Sequence, residues 1–230
     1  MRKTFRLAAL ATMLAAASVA HGAEAVDLSV RGIIRPSACN ITLSGNGVVD
    51  FGTVSALSLS DTAGTLLPET RDFTLTVACD APTAVSIAMA DNRRGTANNS
   101  AGRVLPATFT SAHFGVGSVD EQSIGAYVIS TGATMGLPAT ADGEAVGTIY
   151  TNTNHGGRWT AVDGVLVGGV GQPGIRSYSW ASDGETVPGT YSTIVQPMRV
   201  TLAIGATSGL PSLTEAVAID GSATISVVYL

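Results

Sequence analysis

Apolar and polar residues alternate along most of this chain, at the period of two that puts one set of side chains on each face of an extended strand. Val26, Leu28 and Val30 alternate with Asp27, Ser29 and Arg31, and Gly32 and Ile34 continue the apolar series. Phe73, Leu75 and Val77 alternate with Thr74, Thr76 and Ala78 directly before Cys79. Val85, Ile87 and Met89 alternate with Ser86, Ala88 and Ala90, and the Ala81-Pro82 pair before them reads as a turn. Further strands are predicted over 105–110, 124–130, 145–151, 164–168, 175–180, 198–204 and 223–230, with Gly, Pro, Asn and Asp clusters between them. In the last of these Ala223, Ile225, Val227 and Tyr229 share one face, with Asp220-Gly221 as the turn leading in. No segment keeps a helical period over three turns, so the pattern predicts an all-β chain.

Length and composition sharpen this reading. At 230 residues with 27 glycines, the chain suits many short strands joined by tight turns. No composition shift or internal repeat divides it, and the polar segments 91–104 and 152–158 read as solvated loops of one domain. The first 22 residues follow the plan of a secretory signal: Arg2, Lys3 and Arg6, an apolar run from Leu7 to Val19, then small residues. That run is shorter than the roughly 20 residues a membrane span needs. Its removal takes away three cations and no anion from a chain whose formal charge is already -5. Such a surface is a poor match for nucleic acid. In an oxidising compartment Cys39 and Cys79, the two cysteines of the chain, are expected to form one disulfide.

Catalytic chemistry finds little to build on. His113 lies among apolar neighbours and His155 in a Gly/Asn loop, while no G-x-S-x-G, P-loop, H-E-x-x-H or EF-hand spacing occurs. Asp142-Gly143-Glu144 and Asp183-Gly184-Glu185 offer paired carboxylates, but Asp-Gly is first a turn signal. Asn152, Asn154 and Trp159 are candidates for a sugar-contacting patch, since amides and an aromatic face suit carbohydrate. No catalytic, cofactor or metal residue is expected, and an enzyme is disfavoured.

The two ends carry the functional signal. The alternating segment from Val26 to Ile34 precedes the first cysteine, and the alternating run from Ala223 closes the sequence. Each is expected to lack one neighbour within the chain, leaving an open sheet edge that invites an added strand. Arg31-Gly32-Ile33-Ile34 ahead of Cys39, Phe73-Thr74-Leu75-Thr76-Val77-Ala78-Cys79, and the penultimate tyrosine of Ser226-Val227-Val228-Tyr229-Leu230 together resemble the subunits of chaperone–usher fimbriae of Gram-negative bacteria. The resemblance spans nearly all of the chain after the signal. It implies an incomplete immunoglobulin-like β-sandwich completed by donor-strand exchange, with the disulfide Cys39–Cys79 joining the first two strands.

On that resemblance the chain divides into a signal peptide (1–22), an N-terminal donor-strand extension (23–35) and a pilin-type domain (36–230). Val26, Leu28, Val30, Gly32 and Ile34 would be the donated side chains, with Gly32 where the groove is most crowded. Ile225, Val227 and Tyr229 would belong to the strand that borders the groove and is gripped by a periplasmic chaperone. The implied function is a structural subunit of a surface fimbrium, supporting adhesion or biofilm and exported through the periplasm. Its implied partners are other subunits, a chaperone, an outer-membrane usher and a host or glycan receptor. The competing reading is a secreted or periplasmic carbohydrate-binding β-sandwich module.

Overall fold

A computed structural model describes residues 26–33, 38–106, 113–131, 136–152, 157–162, 164–166 and 176–230. The segment 1–22, Ile34, Asn154, His155 and most of the strand expected over 105–110 lie outside the described residues. The chain divides into two units, Met1–Arg35 and Pro36–Leu230. In the first, residues 26–33 join no ladder, and Val26, Leu28 and Val30 are 95%, 88% and 88% exposed.

The second unit holds every strand found among the described residues: β1 (Cys39–Leu43), β2 (Thr65–Leu66), β3 (Arg71–Thr83), β4 (Val85–Asp91), β5 (Phe114–Gly115), β6 (Ser118–Val119), β7 (Gln122–Ser123) and β8 (Gly125–Thr131). Then follow β9 (Ala139–Ala141), β10 (Glu144–Thr151), β11 (Thr160–Ala161), β12 (Val165–Leu166), β13 (Ser177–Ala181), β14 (Tyr191–Ile204) and β15 (Ala223–Tyr229). Helix is almost absent among the described residues: α1 (Asn99–Gly102) is a single turn, accompanied by short 3-10 turns. All pairings are antiparallel, and the main path runs β1-β3-β14-β9-β10-β13-β4-β15, with β8 along the second half of β14. The sheet folds back on itself until its two end strands touch. There the Cys39 N–H donates to the Tyr229 hydroxyl at 2.8 Å. The architecture is thus all-β and nearly barrel-like.

Alternation explains which faces turn inward. Phe73, Leu75 and Val77 of β3 enter the core, as do Ile87 and Met89 of β4, Tyr178 and Trp180 of β13, and Ile194, Met198 and Leu202 of β14. One polar side chain sits among them. Gln196 is fully buried on β14, and its Oε1 accepts from Trp180 Nε1 at 2.9 Å and from the Thr148 hydroxyl at 2.8 Å, while its Nε2 donates to the Pro197 carbonyl at 2.9 Å. Three strands, β10, β13 and β14, are tied through that one amide. Gln196→Leu leaves the buried Trp180 N–H and the half-buried Thr148 hydroxyl without an acceptor and is expected to cost about 2–4 kcal/mol, read from urea unfolding followed by tryptophan fluorescence.

Local expectations are corrected in three places. Ala81-Pro82 is no turn, because β3 continues through it to Thr83 and Ala84 alone separates β3 from β4. Proline is tolerated there because the register against β14 shifts between Tyr191 and Thr193 at this end of the strand. The segment 91–104 is not wholly solvated: Ala101 is fully buried in α1, which the Asn98 side chain caps by accepting from the Ser100 and Ala101 N–H groups. Asp220-Gly221 carries no turn either; Asp220 is instead bonded to Arg93 and to the Val116 carbonyl.

Candidate functional site

Two segments outside any ladder still carry the alternation of strands. Over 48–55, Val49, Phe51 and Val54 are half-buried against the core while Asp50, Gly52 and Thr53 are exposed. Over 211–221, Leu213, Val217 and Ile219 turn inward and Ala216, Ala218 and Asp220 outward. Among the described residues, the backbone N–H groups of Val49, Phe51, Val217 and Ile219 have no hydrogen-bond partner within the protein. The end strands of the sheet are open in the same sense, since among the described residues β1 pairs with β3 alone and β15 with β4 alone.

Between these segments lies an apolar trough. Its first part, about 270 Å³, is floored by Phe73, Ile129, Val200 and Leu202 and bordered by Leu43 and Ile225. Its second part, about 670 Å³, is floored by Ile124 and Ile204 and bordered by Leu59 and Leu213. Val49, Phe51 and Ile219 line both, so the two parts are continuous. Tyr127 also lines the first part, with its ring stacked on Phe114 at 5.0 Å. Burial, reinforced by the negative charge of Asp91, pushes the Tyr127 phenol well above its ordinary value of 10, so it remains neutral.

Such a surface has the dimensions and chemistry to accommodate an extended segment. Apolar side chains inserted every second residue would be removed from water by the floor, and the incoming backbone would satisfy open N–H and C=O groups at the edges.

The structure brings together part of the predicted set. Ile225 lines the trough, Val227 packs against the core, and Tyr229 lies outside it, half-exposed and bonded to Cys39. The disulfide Cys39–Cys79 is present, between facing positions of β1 and β3. Val26, Leu28 and Val30 are exposed, Gly32 has open space where a Cβ would stand, and Ile34 lies outside the described residues.

Other candidates have structural occupations. The Asn152 Oδ1 accepts from Arg176 Nε at 2.9 Å, and that guanidinium lies 4.4 Å from the centre of the Tyr150 ring. His113 packs its ring against Gly102 of α1. Asp142-Gly143 is the two-residue turn between β9 and β10, with φ of 50° and 91°, and the Asp142 carboxylate accepts from the N–H groups of Ser192 and Thr193. Asp183-Gly184 is likewise a turn. Among the described residues no three His, Cys, Asp or Glu side chains gather as a metal site.

The walls themselves were missed by sequence reasoning, although Val49/Phe51 and Val217/Ile219 carry the same alternation as the strands.

A family model described as "Protein of unknown function (DUF1120)" matches residues 28–150, just over half of the chain. The chain belongs to the DUF1120 family. Protein GltF of Escherichia coli (strain K12) is 28% identical over 250 aligned residues, covering 99% of this chain and 97% of GltF. The uncharacterized protein YhcF of the same strain is 28% identical over 238 residues, covering 92% of this chain and 93% of YhcF. The DUF1120 match takes in Leu28, Val30 and Gly32, the first wall of the trough, and the floor residues of β3 and β8.

Proposed function

We propose that this DUF1120 protein is a structural subunit of a surface fimbrium, an immunoglobulin-like sandwich short of one strand that polymerises by donor-strand exchange. The observation that carries the reading is the trough: an apolar floor between walls with unpaired backbone, in a chain whose own residues 26–33 alternate in strand fashion and remain exposed. A second copy supplies the matching occupant, Val26, Leu28, Val30 and Ile34 toward the floor, with the tail backbone bonded to an open edge. Nine residues in extended form reach about 30 Å, enough to run the length of the eight-residue wall 48–55. Export, a periplasmic chaperone and an outer-membrane usher belong to the same reading, because a subunit with an open edge needs a temporary cover before assembly.

The test is assembly in a Gram-negative host that also carries a matching chaperone and usher. The full chain is expected to give surface fibres visible by electron microscopy, and deletion of residues 24–34 is expected to abolish them while leaving a chaperone-bound, folded subunit. A stable monomer whose residues 24–34 resist protease would overturn the reading, since the tail would then belong to its own fold.

A further inference from the structure

The lining of the trough does not explain its width, because neither wall is fixed by a ladder. Hydrogen bonds from elsewhere in the fold reach each wall at a single residue. On the first wall, apart from the turn bonds at its two ends (Val48 N–H to the Gly45 carbonyl, and the Ser58 N–H and hydroxyl to the Ser55 carbonyl), the one such bond among the described residues runs from Arg71 Nε to the Asp50 carbonyl at 2.8 Å, and the same guanidinium lies 5.3 Å from the centre of the Phe51 ring. On the second wall every such bond falls on Asp220. Its Oδ2 accepts from Arg93 Nε at 2.9 Å and Nη2 at 2.6 Å, its carbonyl accepts from Arg93 Nε at 3.2 Å, and its N–H donates to the Val116 carbonyl at 2.9 Å. Residues 211–219 make no hydrogen bond to the rest of the fold among the described residues.

Both arginines are themselves held in place. Arg71 opens β3 and donates to Glu69 at 2.6 Å, and the Arg93 N–H donates to the Asp91 carboxylate at 2.8 Å, at the end of β4. Neither guanidinium lines the trough. They grip the walls from outside.

Without those grips the hydrophobic effect would draw Phe51, Val217 and Ile219 down onto the apolar floor and narrow the opening. A guanidinium bonded to a carbonyl or carboxylate opposes this with a charge-assisted bond of fixed direction. We propose that Arg71 and Arg93 are positioning residues that hold the two walls at the separation admitting one extended strand. This inference rests on the donor-strand reading and adds the groups that keep the acceptor site open. It has a kinetic signature. If the arginines set only the fraction of molecules with an open trough, their loss slows association in proportion to that fraction and leaves the dissociation of an already seated strand unchanged.

The experiment measures binding of a fluorescent peptide of residues 24–35 to the full chain, wild type against Arg71→Ala and Arg93→Ala, by stopped-flow anisotropy. Each variant is expected to slow association by about tenfold with an unaltered dissociation rate. Asp220→Asn removes the same ion pair without shortening a side chain and gives the same reading should Arg93→Ala fail to fold. Restored association in the exchanged pair Arg93→Asp with Asp220→Arg would identify the ion pair itself as the grip. Wild-type association rates in both alanine variants, or a change confined to dissociation, would overturn the assignment while leaving the donor-strand reading intact. A wild-type chain that binds no peptide removes that reading and the arginine roles with it.

Discussion

Replacing Cys39 and Cys79 together by serine is expected to destabilise the protein by about 4 kcal/mol, the chain-entropy value for a cross-link closing a loop of their separation, 40 residues. That is a large share of the roughly 5–15 kcal/mol that separates folded from unfolded states in ordinary domains. The local structure makes the loss hard to offset. β1 is five residues long and pairs with β3 alone, so the bridge between facing positions of that ladder is what keeps a short edge strand in register. The same strand donates the Cys39 N–H to Tyr229, leads into the first wall, and borders the trough through Leu43. In urea the unfolding midpoint should fall by about 1–2 M, with a slope no shallower than wild type, because the chain freed of its cross-link unfolds to a more open ensemble. A drop of less than about 1 kcal/mol would mean that the β1–β3 ladder holds itself and that the cystine contributes little to the border of the trough.

The strands whose side chains alternate without interruption were legible, and two of them, β3 and β8, contribute to the floor. Phe73, Leu75 and Val77 enter the core as their spacing requires, and β4, β8, β10, β13 and β15 fall where alternation places them. β1 was not read as a strand from pattern because Cys39, Ile41 and Leu43 run at once into Gly45 and Gly47, whose φ values of 61° and 75° end the strand. β14 extends seven residues ahead of its expected start, since Gln196 and Pro197 break the apolar pattern; the partners that satisfy Gln196, Trp180 and Thr148, lie 16 and 48 residues away.

The walls failed for a different reason. An extended segment gains its identity from the partner it pairs with, and 48–55 and 211–221 have none, so their sequence resembles loop as much as strand. The grips were beyond reach of any local rule. Arg71 to Asp50 spans 21 positions and Arg93 to Asp220 spans 127, and nothing in the residues around an arginine says which distant carbonyl it will meet. Asp142-Gly143 was legible because a two-residue antiparallel turn places its own demand on φ.

Gly32→Leu is expected to cut fibre formation by about 10- to 100-fold while leaving the unassembled subunit as stable as wild type. A Cβ at Gly32 meets nothing within 4 Å, and its φ lies outside the left-handed region, so a side chain there costs the free chain neither a clash nor backbone strain. Any effect must then arise when the tail meets another molecule. Gly32 continues the face of Val26, Leu28 and Val30, which the donor-strand reading turns toward the floor. A leucine on that face either overpacks the trough, at a cost of about 1–3 kcal/mol, or shifts the tail out of register and withdraws its neighbours from the floor.

Ser29→Leu adds the same apolar bulk on the opposite face and serves as the control, expected to assemble normally. Fibre yield by electron microscopy, set beside thermal unfolding of the chaperone-free chain, separates the two steps. Wild-type fibre yield from Gly32→Leu would mean that this face of the tail never enters a crowded groove, and equal losses from both variants would mean that bulk anywhere on the tail impedes assembly.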